Sequence, residues 1–254
     1  KNYEARCRRD WEKVAREVRT GSGDIPPQRH LSIDASPAHF EGLVDLWRKT
    51  PEPLAFDIET NPEQGRILCI SFAIQAGYAI SVPWSKQYKA SIQRLLASDL
   101  PKITQNGHYD CYWLAQEGFL VNNWQWDTMA MSCLLWPNEP HSLAYLASIL
   151  TNEPWYKGTD DDTGEKRWAV VEGAMDKWHA LLDYNARDAA VTWECWAGLK
   201  ARLEARGWMG IYLQQYQALF QPILDVMLHG IAVNEEELAH AYRTSCTMAQ
   251  GALA

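Results

Sequence analysis

At 254 residues and 47% hydrophobic content, the chain can hold one sizeable α/β core with appendages, or two small domains. A net charge of −8 excludes a generally basic nucleic-acid wrapper, though acids neutralised by a metal would leave room for a nucleic acid ligand. No run of eighteen apolar residues and no signal-peptide pattern occurs, so neither membrane insertion nor secretion is indicated and an intracellular setting is expected, be it cytoplasm, nucleoid, a virus-infected cell or an organelle.

In chain order, residues 1–20 place Tyr3, Cys7, Trp11, Val14 and Val18 at helical spacing, with seven basic residues against four acidic ones. This predicts an amphipathic helix with a solvated basic face. Residues 21–28, with Gly-Ser-Gly and Pro-Pro, read as a linker, and 36–50 as a capped helix. Residues 54–58, 67–75 and 78–82 read as strands, the last two joined around Ala76-Gly77, which predicts a three-stranded antiparallel meander. A helix over 91–98, a short strand at 103–105 and a helix over 106–117 follow. Asp127, after Trp124-Gln125-Trp126, suits the N-cap of a helix over 128–135 better than a metal ligand.

Between residues 152 and 173 the pattern breaks. Asp160, Asp161 and Asp162 lack EF-hand spacing, so this reads as a polar loop. An uninterrupted helical pattern then carries residues 182–192. Residues 211–228 form an apolar helical pattern interrupted at Pro222, and a polar helix begins at Glu235. Most of the thirteen tryptophans, including Trp113, Trp178, Trp193 and Trp196, recur at helical spacing and suit a core. Six scattered cysteines show no Cys-x-x-Cys pair and no zinc spacing, so reduced, mainly buried thiols are expected.

The chemistry lies in the acids. In Phe56-Asp57-Ile58-Glu59-Thr60 the two carboxylates sit at i and i+2 on a strand, point the same way and can share one divalent cation. Asp110 falls in the first turns of the helix opened by Asn106-Gly107-His108-Tyr109. Tyr184 and Asp188 stand at i and i+4, on one helical face. Apolar flanks would make unpaired carboxylates costly to bury, which argues against four unrelated solvated acids.

Asp57 to Thr60, Asn106 to Asp110 with the trailing Asp127-Thr128-Met129, and Tyr184 to Asp188 resemble, in order, the three motifs of the DEDD, or DnaQ-like, 3′–5′ exonucleases. More narrowly, the chain resembles the proofreading exonuclease domain of a family A DNA polymerase over residues 54–203. The tyrosine subtype is implied, because the histidine subtype carries its histidine where this chain has Asp183, and His179 is out of register.

The resemblance implies an RNase H-like α/β fold, a mixed sheet flanked by helices. Its parts would be an N-terminal helical extension and linker (1–50), the exonuclease domain (51–207), and the start of a polymerase-type helical region resembling a thumb (208–254). No palm fits in what remains, so the polymerase part is expected outside this chain. The implied cofactors are two Mg2+ or Mn2+ ions, with Asp57 bridging both, Glu59 and Asp188 completing one, and Asp110 holding the other. Tyr184 would orient the attacking water rather than act as the base, since a phenol is too weak a base for that role. Thr60 and Asn106 would position the terminal nucleotide, and Lys166 or Arg167 would meet a phosphate. The implied partner is DNA with a single-stranded or frayed 3′ end. An RNA-processing exonuclease would be followed by a different helical domain, and an inert scaffold would not keep all four acids.

Overall fold

The computed structural model describes residues 28–153 and 175–252, with scattered positions between 7 and 21. The loop residues from 154 on, including Asp160 to Asp162, Lys166 and Arg167, lie outside the described residues, as do most of the linker and much of the N-terminal segment. Described positions between 7 and 19 are helical, with Trp11, Val14 and Val18 exposed.

Six strands form one mixed sheet in the order β1-β4-β3-β2-β5-β6. The expected meander is its centre: β2 (Leu54–Asn61), β3 (Arg66–Gln75) and β4 (Tyr78–Pro83) pair antiparallel, and the tight turn before Tyr78 uses Gly77 at φ 73°. β5 (Lys102–Thr104) pairs parallel with β2, and β6 (Trp124–Asp127) parallel with β5. On the other edge β1 (His30–Ser32) runs parallel to β4.

Helices cover both faces. α1 (Pro37–Trp47) starts at Ser36, whose hydroxyl accepts from the His39 amide at 3.2 Å, and buries Phe40, Val44 and Trp47. Phe40 stacks on Phe72 of β3 and meets Tyr88 of α2 (Lys86–Leu96) edge-on, so α1 and α2 close one face. α2 begins five residues before the expected 91, and its first turn buries Tyr88. α3 (Gly107–Gln116), α4 (Thr128–Leu135) and α5 (Leu143–Leu150) follow the parallel strands. The long α6 (Met175–Ala205) lies across β2, β3 and β4 on the opposite face. Trp196 is buried there, while Trp113, Trp178 and Trp193 pack half-buried against the core. Among the described residues all six cysteines are free thiols, three of them buried.

The tail corrects one expectation. The irregularity falls at Tyr212–Tyr216, a π-helical turn, and Gln217–Leu219, a 3-10 turn, not at Pro222. Pro222 lies in the first turn of α7 (Phe220–His229), where a missing N–H breaks no helical bond. Tyr212 anchors this region: it is fully buried, stacks on Trp126 at 5.5 Å, and its hydroxyl accepts from the Asp127 amide at 2.9 Å. Phe220 stacks on Trp124 at 4.5 Å. α8 (Glu235–Ala252) follows, and no helix among the described residues is long and apolar enough to cross a membrane.

Candidate active site

Strand alternation and one helix face build the centre of the site. Asp57 and Glu59 lie opposite Ser71 and Cys69 of β3, and the ladder shifts register just after Glu59. Asp188 of α6 comes down onto the same face, so one carboxylate oxygen from each of Asp57, Glu59 and Asp188 lies within 4.8 Å of the others. Asp188 is buried, whereas Asp57 and Glu59 are half-buried.

What holds α6 at this spacing is Asn185, fully buried between the motif's tyrosine and aspartate. Its backbone carbonyl accepts from the Ser71 hydroxyl at 2.8 Å. Its amide nitrogen donates to the Asp57 carboxylate at 2.8 Å and to the Asp57 carbonyl at 3.2 Å, while its Oδ1 accepts from the Ser81 hydroxyl at 2.8 Å. Further along the helix, the buried Arg29 pairs with Glu194 at 2.6 Å and with Glu153, which also takes Arg187 at 3.1 Å.

Asp110 arrives from the other side of β2. Asn106 adopts the left-handed conformation at φ 61° and turns the chain into α3. Gly107 follows because a Cβ there would sit 2.2 Å from the Thr104 hydroxyl. Asp127 secures the turn. One of its oxygens accepts from the Gly107 amide at 2.7 Å and the Thr104 hydroxyl at 2.9 Å, and the other caps α4 by accepting from the Ala130 amide at 3.0 Å. The expected N-cap role is therefore present, and the same side chain also ties down the start of α3.

Asp110 is buried and bonds to the backbone of Ile58. Burial raises its carboxyl well above the usual range, and the charges of Asp127, Glu59 and Asp188 raise it further. It stands outside the trio but feels two of its members. Anionic oxygens this close repel one another, and an all-oxygen donor set suits a hard divalent cation, so the residues present fit Mg2+ or Mn2+.

Tyr184 is half-buried, one helical turn before Asp188. Thr60 is buried and shares a 2.5 Å hydrogen bond with the Tyr109 hydroxyl. Asn106 is exposed, its carbonyl accepting from the Tyr109 amide at 3.1 Å. His179 lies 3.6 Å from Asp34, half-exposed at the start of α6. Sequence reasoning passed over Asn185, Ser81, Ser71 and Tyr109. Only Asn185 and Tyr109 carried a signal, being polar residues inside the quoted motifs.

Carboxylates from β2 and α6 meet on one side of a six-stranded mixed sheet, with Asp110 of α3 close enough to feel their charge. The sequence matches the model of the 3′–5′ exonuclease family over residues 36–204, and the chain belongs to that family. A search of curated protein sequences returned no match. Among solved structures, NrnC of Brucella melitensis superposes with a TM-score of 0.60 at 20% identity, over 81% of this chain and 95% of that one. NrnC has also been solved with bound Mg2+ and bound to pGG. The POL domain of Pol1 from M. smegmatis, in complex with DNA primer-template and dNTP, gives 0.59 at 13% identity, over 82% of this chain and 34% of that one. The catalytic core of RRP6 from Trypanosoma brucei gives 0.54 at 17% identity, over 76% and 52%. At these identities the likeness establishes the RNase H-like fold. The chain is a 3′–5′ exonuclease, a hydrolase acting on nucleic acid.

Proposed function

We propose that this exonuclease removes nucleotides from the 3′ end of DNA and is the proofreading domain of a family A DNA polymerase. The observation that carries the chemistry is the convergence of Asp57, Glu59 and Asp188 within 4.8 Å, with Asp110 beside them. Two Mg2+ or Mn2+ ions, held by these four carboxylates, would supply polarisation of the scissile phosphate and a water acidified for attack. The residues of the chain do the rest. Tyr184 orients the attacking water through its hydroxyl. Thr60 and Asn106, flanking the carboxylates at the end of β2 and the start of α3, position the terminal nucleotide, and the Thr60–Tyr109 hydrogen bond holds the threonine hydroxyl in place.

The polymerase setting is supported by the tail. α7 and α8 leave Ile223, Val226, Leu238 and Tyr242 exposed, apolar side chains suited to further protein packed against them. On this reading residues 1–50 are an extension and linker, 51–207 the exonuclease domain and 208–254 the start of the polymerase-type helical region. A second reading is an RNA-processing exonuclease with the same four acids, outside any polymerase; only the absence of a polymerase part draws on coverage, since the chain spans 95% of NrnC but 34% of the Pol1 chain. A 3′-mismatched DNA duplex and RNA of the same sequence, each with and without Mg2+, separate the two. Faster Mg2+-dependent loss of the DNA terminus is expected, and preferential degradation of the RNA would favour the second reading.

A further inference from the structure

The Asn185 side chain sits in a chain of hydrogen bonds that ends on a carboxylate of the site. The amide is fully buried, as is Ser81, so neither can exchange these partners for bulk water. The Ser81 hydroxyl lies 2.8 Å from Asn185 Oδ1, and Asn185 Nδ2 lies 2.8 Å from one Asp57 oxygen. Directionality matters here. An ionised carboxylate accepts only, so the amide must turn its nitrogen to Asp57, and the oxygen then left facing Ser81 needs a donor, which the serine hydroxyl provides. The second Nδ2 contact, 3.2 Å to the Asp57 carbonyl, fixes the amide plane against β2. The helix carrying the amide is itself pinned where Ser71 donates to the Asn185 carbonyl. Both residues come from scaffold elements, β4 and α6, not from loops.

We infer that Asn185, oriented by Ser81, is a positioning residue that fixes the rotamer of Asp57 for divalent metal binding together with Glu59 and Asp188. This rests on the reading of those carboxylates as the metal site. The bond to one oxygen of a metal-binding carboxylate does two things: it stops rotation that would swap the two oxygens, and it compensates part of the negative charge that the three carboxylates concentrate. A purely structural role would show itself in stability alone. A positioning role shows itself in metal affinity while the protein is fully folded.

The test is Mn2+ binding, followed by paramagnetic resonance or calorimetry on the whole chain, for wild type, Asn185→Ala, Ser81→Ala and the double variant, with thermal unfolding measured in parallel without metal. At a temperature where all are folded, Asn185→Ala is expected to bind Mn2+ about 10-fold more weakly or worse, the range seen when a partner of a metal ligand is removed. Ser81→Ala should weaken it less. The double variant should bind no more weakly than Asn185→Ala, because the route from Ser81 to Asp57 runs through the amide. In hydrolysis at saturating Mn2+, Asn185→Ala should lower kcat with KM for the nucleic acid unchanged. Wild-type Mn2+ affinity in folded Asn185→Ala would overturn the inference and leave the site reading standing. Absence of Mn2+ binding by the wild type would overturn both. Should Asn185→Ala not fold, Ser81→Ala carries the test, and wild-type Mn2+ affinity in that variant would overturn the inference.

Discussion

Tyr184 and Asp188 share a helical face one turn apart, yet they are given different work. Tyr184→Phe should slow hydrolysis on the order of 10²-fold, as expected for lost positioning or proton-transfer help, and leave metal affinity nearly unchanged. Asp188→Ala should weaken metal binding itself. Metal titrations of both variants beside single-turnover cleavage check this, and loss of metal by Tyr184→Phe would remove the role given to the phenol. Lys102 offers a separate residue-scale test, far from catalysis. Its fully buried ammonium donates to the carbonyls of Ser98, Leu100 and Asn122 at 2.8, 2.7 and 3.1 Å, and burial pulls its pKa down to about 8. The unfolded chain holds that proton up to about pH 10.5, so across the interval between the two values the unfolded state binds more protons and stability rises with pH. Relative to Lys102→Met, the wild type should gain on the order of 2 kcal/mol between about pH 7.5 and 9.5, read by urea unfolding. Parallel pH profiles for the two proteins would contradict it.

The elements divide into those a sequence announces and those it conceals. β2, β3 and β4 were legible because strand-forming residues lie in runs bounded by turn chemistry, and because two acids alternating in an apolar run single out one strand face. The caps at Ser36 and Asp127 were legible as local hydrogen-bond chemistry. β1 was not, since His30-Leu31-Ser32 is too short to show a period and becomes a strand only by pairing with β4. β6 hid in Trp124-Gln125-Trp126, whose alternation places both tryptophans in the core. α5 went unread as well, a single apolar helix of eight residues after the proline at 140. Of the candidate site, the acids that meet, Asp57, Glu59 and Asp188, stand out by motif spacing, but their support does not: Asn185 meets Ser81 and Ser71 across more than a hundred residues of chain. Asp127 shows what such support is worth. Because it caps α4 and also holds the start of α3, Asp127→Ala should cost roughly 1–2 kcal/mol for the lost cap alone. It should also depress hydrolysis by loosening the helix that carries Asp110. Unfolding and activity measured together check this, and an active, wild-type-stable variant would contradict the double role.

At the scale of the molecule, the sheet presents its carboxylates between α3 and α6, and with a net charge of −8 the proposed function puts the favourable field for nucleic acid where cations would bind, not over the surface. On that proposal a strand end would have to be brought unpaired to the carboxylates, and melting a paired terminus costs free energy at each step. Frayed or mismatched 3′ ends should be shortened faster than fully paired ones, in a direct comparison of initial rates, and equal rates would contradict the requirement. The central claim, that this fold is an exonuclease because Asp57 and Glu59 help bind the metals that hydrolyse the 3′-terminal phosphodiester, is tested most directly by Asp57→Ala combined with Glu59→Ala. Both side chains are half-buried on a strand face outside the hydrophobic core, so the fold should survive. With Mg2+ present, the wild type should shorten a labelled single strand one nucleotide at a time from its 3′ end, and the folded double variant should release nothing. Near-normal shortening by that variant, or release from the 5′ end by the wild type, would contradict the claim.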